Sequence, residues 1–140
     1  MAVVIDTGTA LGGADSGAGD AGVSGPEASE LYYPTLEMFV GDYLLETYRR
    51  AVSSTGSAWC PEWWRHAEAI VRLEALWRSW EHLRLDPATG ISVWLRDHAD
   101  HHMAVLLSSD GPLKGCTAKA HSERPLAPLP SNPAPIGLFE

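Results

Sequence analysis

PEWWRHAEAIVRLEALWRSWEHLRL, residues 61–85, is the stretch on which the fold turns. Pro61 suits a first helical position, where its missing N–H loses nothing. Glu68 with Arg72, and Glu74 with Arg78, stand four residues apart in the favoured acid-before-base order. The spacing predicts one long central helix over about 61–85, stopped by Asp86-Pro87-Ala88-Thr89-Gly90. At about 100° per residue, Trp63, Trp64, Ala67 and Val71 cluster on one side of its first half. Leu73, Leu76, Trp77, Trp80 and Leu83 cluster on another side of its second half. A helix with such a moving apolar face calls for different neighbours at its two ends.

Upstream, Leu36, Phe39, Val40, Tyr43, Leu44, Tyr48 and Val52 recur at helical spacing, which predicts a helix over about 36–52 with Thr35 as N-cap. Ser53-Ser54-Thr55-Gly56-Ser57 closes it with loop chemistry. Downstream, Ile91, Val93 and Leu95 alternate as in a strand, while Ile91, Leu95, His98, Ala99, His102 and Leu106 fit a helical face. The preferred reading is two helices, about 92–98 and 101–108, with Asp100 capping the second. A short hairpin near 91–107 packed on the central helix is the alternative. The expected fold is therefore mostly α, a small bundle of three to four helices around the central one.

Both ends of the chain differ from this middle. Residues 1–30 hold seven of the thirteen glycines and five acidic residues, with no Lys, Arg or aromatic. Residues 122–140 hold five of the ten prolines, Pro125, Pro128, Pro130, Pro133 and Pro135. Segments with so little apolar surface do not offset the entropy of ordering, so two disordered tails are expected around a domain at 31–121. The net charge of −8 lies mostly in the first tail; residues 31–121 carry eleven acids against nine bases. That balance argues against a general nucleic-acid binder. Met1-Ala2-Val3-Val4-Ile5-Asp6 lacks the basic start of a secretory signal, and no apolar run approaches a membrane span. With only Cys60 and Cys116 present, a disulfide framework is not expected and a reducing, cytoplasmic setting is.

Three sets of residues could carry chemistry. The first is metal ligation. His98 and His102 stand at i,i+4 and could chelate one cation, with Cys60 and Cys116 completing a zinc set. His66 and His121 are further soft ligands, and a Cys2His2 site built from two of these histidines would tie loops to helices. No C-x-x-C spacing supports a known zinc motif; the alternative is Asp97 and Asp100 as caps and the cysteines as small buried hydrophobes. The second set is Trp59, Trp63 and Trp64 beside Arg65, a cluster suited to a protein partner, since Trp and Arg are enriched at hot spots. Against it stands the use of tryptophan as core filling. The third is Asp97, His98 and Asp100 as a metal-dependent hydrolase, which lacks the strand framework such chemistry needs. Ile5-Asp6-Thr7-Gly8 has the look of a phosphate-binding turn without the helix that should follow it. Cys60 at a predicted helix start could be a reactive thiol, but His66 follows on a different face, and no serine sits in a G-x-S-x-G elbow.

Taken in order, Trp59 to His66, Arg72 to Trp77, Trp80 to Asp86, Asp97 to Asp100 and Asp110 to Cys116 resemble the actinobacterial domain-of-unknown-function family 4913, over about 36–116. The resemblance implies no activity. It implies an accessory role in chromosomes, plasmids, integrative elements and phages. It also implies a proline where this chain has His101, which weighs against His101 as a ligand. The functional expectation is a non-enzymatic interaction module without a membrane role. The alternative is a small zinc-stabilised domain touching nucleic acid through Arg65, Arg72, Arg78, Arg84 and Arg96. The metal-dependent hydrolase comes last.

Overall fold

The computed structural model describes residues 30–140. The expectations for the acidic N-terminal tail and the turn at Ile5–Gly8 lie outside the described residues. Within them the architecture is three helices and long connecting loops, with no strand beyond one isolated parallel bridge between Val52 and Ser57. Helix α1 spans 36–47, α2 is Ala67–Leu83 and α3 spans 90–106. The chain is mostly α, and the hairpin alternative does not form.

Helix α1 starts where its chemistry says it should. Thr35 is extended, and its Oγ1 accepts the N–H of Met38 at 3.2 Å. The helix ends at Thr47, earlier than expected, because Tyr48 leaves helical geometry at φ −100°, ψ 68°. The Tyr48 hydroxyl then donates to Asp100 Oδ1 on α3 at 2.7 Å.

Helices α1 and α3 each contain one widened turn. Leu45 N–H bonds to the Val40 carbonyl and Asp100 N–H to the Leu95 carbonyl, five residues back rather than four. On α3 this explains the ambiguous pattern. Its buried side chains are Trp94, Ala99, Met103 and Leu106, and the first step between them is one residue too long for an α turn. The π turn over Leu95–Ala99 absorbs the excess and keeps the face aligned. Two separate helices with Asp100 as a cap are thus corrected to one continuous helix in which Asp100 is an interior αR residue.

Central helix α2 also departs from expectation at its start. Pro61 and Glu62 lie in a turn, Trp63–Arg65 form a 3-10 turn, and His66 is extended at φ −113°, ψ 114°. The helix begins only at Ala67. Its buried side is then a single stripe, Ala69, Leu73, Leu76, Trp77 and Trp80, while Val71 is exposed. The face does not move round the helix: Trp63 and Trp64 belong to the 3-10 turn, and Ala67 and Val71 are exposed on α2. At the other end Asp86 accepts the Ala88 N–H at 2.9 Å and the Thr89 hydroxyl at 2.7 Å, which makes the stop that the sequence calls for. Gly90 follows because a Cβ there would sit 1.8 Å from the Leu83 carbonyl oxygen.

Most of the tryptophan is core. Trp80 stands among Tyr32, Tyr33, Phe39 and Tyr43, with ring centroids 4.9–5.8 Å away. Trp94 is fully buried and its indole N–H donates to the Leu76 carbonyl at 3.0 Å. Trp77 donates to the Tyr33 carbonyl at 3.0 Å. Beside them, the buried carboxylate of Glu81 accepts the N–H groups of Tyr32 (3.0 Å) and Tyr33 (2.8 Å) and the Arg84 Nε at 2.7 Å. Burial alone would raise the Glu81 carboxyl. The Tyr33 N–H, the Arg84 guanidinium and the Tyr32 N–H outweigh it and hold the group below its usual 4.5.

Two outcomes follow. Trp80→Ala should lower unfolding free energy by about 3–5 kcal/mol in a urea titration, as for other large-to-small core changes. Glu81 has a depressed folded pKa, so its contribution is present above the unfolded value near 4.5 and is lost as pH falls through the folded value. Wild-type stability should therefore drop more steeply below pH 4.5 than that of Glu81→Gln, read as thermal midpoint against pH. Parallel curves would remove Glu81 from the acid response.

Candidate metal centre

The loops before α2 and after α3 meet. Ala58 N–H donates to the Leu107 carbonyl at 2.9 Å, which seats the 57–62 loop against the end of α3. Cys60 follows, fully buried. The 3-10 turn then carries the chain to His66, whose extended backbone caps α2 through its carbonyl, accepting the Ile70 N–H at 3.0 Å. No side-chain cap bond forms there, and the imidazole is turned toward the sulfurs instead.

After α3, buried Leu113 anchors a second loop, and Gly115 turns it at φ +88°, a left-handed conformation that favours glycine. Cys116 comes next. Thr117 bonds to the Ala120 carbonyl through its N–H at 3.0 Å, and its Oγ1 accepts the Ala120 N–H at 3.2 Å. This tight reversal returns His121 to Cys116.

The result is a four-ligand cluster. One ligand atom from each of Cys60, His66, Cys116 and His121 lies within 4.8 Å of the others. Three sulfur-to-nitrogen edges are 3.4 Å (Cys60 to His121 Nδ1), 3.5 Å (Cys116 to His66 Nε2) and 3.7 Å (Cys116 to His121 Nδ1). Ordinary Zn–S and Zn–N lengths in a tetrahedron give an S···N edge of about 3.6 Å. A mixed S2N2 tetrahedron is the donor set of zinc.

The surroundings suit the same chemistry. Ser122 N–H points at Cys116 Sγ at 3.4 Å, a donor that favours the thiolate. His66 is held below its usual pKa by burial first, then by His121 and Arg65, so its imidazole is neutral and ready to ligate. The Pro112 carbonyl accepts a hydrogen bond from His66 and works the other way. Burial pushes the Cys60 thiol up to about 11, with Cys116 adding to the rise against the Glu62 backbone bond. A raised thiol pKa disfavours the thiolate, and Cys60 does not stand at an α-helix start. A divalent cation would convert it to a thiolate.

The expected set Cys60, His98, His102 and Cys116 does not come together as one cluster. Both cysteines converge, but with His66 and His121. His102 on α3 has its Nδ1 3.0 Å from Arg72 NH1; burial first and that guanidinium next hold it low, and the guanidinium's charge opposes a cation there. Among the described residues no other group of three or more His, Cys, Asp or Glu brings its ligand atoms together. Asp97 pairs with Arg96 at 2.7 Å, and Asp100 accepts from Tyr48. The ligand atoms of Asp97, His98 and Asp100, the hydrolase set, are thus not gathered in one group among the described residues.

The aromatic patch is divided too. Trp63 is buried and Trp59 packs against the core, whereas Trp64 is 55 % exposed and Arg65 is exposed beside Glu62, 3.6 Å away. No helix among the described residues is long and apolar enough to cross a membrane.

The described residues form a small all-α domain in which a Cys2His2 cluster lies between two loops. The chain belongs to the family described as Domain of unknown function (DUF4913), whose model matches residues 33–135. That span includes all four ligands and most of the proline-rich segment. No curated protein and no solved structure matches the chain.

Cobalt(II) checks the ligand set directly. The protein titrated with cobalt should develop the visible bands of a tetrahedral S2N2 site. His66→Ala and His121→Ala should weaken or shift them, and His98→Ala and His102→Ala should leave them unchanged. The reverse pattern would return the site to α3.

Proposed function

We propose that this chain is a non-enzymatic interaction module whose two loops are clasped by a zinc ion on Cys60, His66, Cys116 and His121. The observation that carries the reading is the convergence of two Cys and two His at tetrahedral spacing. Four protein ligands complete the zinc sphere and leave no position for water or substrate, the pattern of a structural site. A reducing, cytoplasmic setting would keep both thiols available to the metal. An accessory role in actinobacterial mobile elements is part of this reading and rests on the family resemblance alone.

The charge pattern favours a protein partner over nucleic acid. Arg65, Arg72, Arg78, Arg84 and Arg96 are each paired with an acid, respectively Glu62, Glu68, Glu74, Glu81 and Asp97. Neutralised in this way, they offer little to a phosphate backbone, whose binding depends on uncompensated cations. Exposed Trp64 with Arg65 remains as a contact surface of hot-spot composition.

Metal analysis of untagged protein tests the clasp. Stoichiometric zinc is expected, and Cys116→Ser or His121→Asn should abolish it and lower the thermal midpoint by roughly 10–20 °C, because metal affinity is folding free energy. Metal-free protein whose stability is unchanged by both substitutions would end the zinc reading. Duplex DNA or RNA should not bind even at low salt, where the electrostatic contribution is strongest.

A further inference from the structure

Two exposed features of this chain have complementary chemistry. One is an apolar groove of about 510 Å³ between the first turn of α1, the 3-10 turn and α2, lined by Thr35, Leu36, Glu37, Trp63, Trp64 and Ile70. Its wall is a pair of indoles in edge-on contact, Trp63 and Trp64, with ring centroids 5.8 Å apart at 80°. Trp63 is buried and holds the pair in place, while Trp64 offers most of its ring to solvent. Leu36 and Ile70 supply aliphatic surface, and Glu37 supplies a carboxylate.

The other feature is Arg124-Pro125-Leu126-Ala127-Pro128-Leu129-Pro130. It forms no helix or strand, and Leu126 and Leu129 are 57 % and 93 % exposed. In a polyproline II helix, residues three apart share an edge. Pro125 and Pro128 then lie along one edge and Leu126 and Leu129 along the next, with Arg124 at the N-terminal end. Aromatic-walled grooves take such segments because the ligand is already stiff and loses little entropy on docking. The single cation of the segment complements the single carboxylate of the groove.

We propose that the Trp63–Trp64 groove binds the Arg124–Pro130 segment of a second copy of this chain, so that two copies exchange their segments reciprocally. The proposal rests on the interaction-module reading and names its partner. In the described chain no residue of the segment lines the groove, so both surfaces are open to another molecule. Reciprocal exchange satisfies both at once and closes into a two-fold pair, the commonest form of self-association. The segment starts three residues after His121, so the clasped loop fixes where it leaves the domain.

Sedimentation velocity of the full-length chain over a concentration series is the test, with zinc content and circular dichroism confirming each variant's fold. A monomer–dimer equilibrium is expected. Trp64→Ala and, separately, Pro125→Gly with Pro128→Gly should each abolish it. Mixing those two variants should restore a heterodimer, because one retains the segment and the other the groove. A synthetic peptide of residues 122–133 should bind the full-length chain and disrupt its dimer, and Trp64→Ala should weaken that binding by about tenfold or more. Glu37→Arg should weaken it by about fivefold and Arg124→Glu in the peptide should restore it. A dimer indifferent to these substitutions, or no peptide binding, would overturn the proposal. So would a monomer that accepts peptide only after its own prolines are replaced, which would place the segment in its own groove. A different protein held through Trp64 by a strictly monomeric chain would overturn self-pairing and leave the interaction-module reading standing.

Discussion

The stripe of Leu73, Leu76, Trp77 and Trp80 on α2 has to be taken out of water, and no single neighbour is wide enough to do it. Helix α1 covers it from one side with Phe39, Tyr43 and Leu44, and α3 from the other with Trp94, Ala99 and Met103. Trp80 is the point at which the N-terminal tyrosines and α1 meet the central helix. Large aromatics bring a polar handle with them, and those handles set orientation: the indoles of Trp77 and Trp94 each reach a backbone carbonyl. The Glu81 carboxylate does the equivalent task for the segment before α1, gathering two backbone N–H groups that have no helix to satisfy them.

The loops have no such core. Between α1 and α2, and after α3, the buried apolar side chains are only Ala58, Cys60, Trp63 and Leu113. Segments without ladders or a broad apolar face need another cross-link. Cys60 and His66 from one loop and Cys116 and His121 from the other provide the donors for it. The arrangement also explains why α2 starts late. His66 is directed to the cluster, so its backbone is extended where a continuous helix would require αR.

What could be read from the sequence was what is local. The Thr35 cap, the acid–base pairs along α2 and the Asp86–Gly90 stop depend on residues a few positions apart, and all three stand as expected. The three-helix outcome followed from the same periodicities. The ends of the helices did not, because Tyr48 and His66 leave helical geometry for partners about fifty residues away, Asp100 and Cys116. Which histidines would join the cysteines could not be decided from spacing, for a related reason. His98 and His102 advertise themselves by helical spacing, whereas His66 and His121 are fifty-five residues apart and become neighbours only through the fold. Spacing along the chain favours the first pair, and the fold gathers the second beside the cysteines. The five-residue step from Trp94 to Ala99 was visible as an irregularity, but strand alternation and a helix break explain it equally well until the π turn is seen.

Those widened turns bear on how the chain tolerates insertion and deletion. Each is one residue more than a regular helix needs. Loss of one residue from Leu95–Ala99 would turn the widened turn into an ordinary α turn and leave everything beyond on its present face, whereas a regular helix of the present length would carry everything beyond round by about 100°. In that regular helix Met103 and Leu106 would leave the α2 face, and Leu107, which holds the 57–62 loop through Ala58, would turn with them. At the present length it is thus the irregular turn that brings both loops to the same place. In this protein, the phase of a helix beyond its widened turn and the assembly of a distant Cys–His cluster are a single requirement.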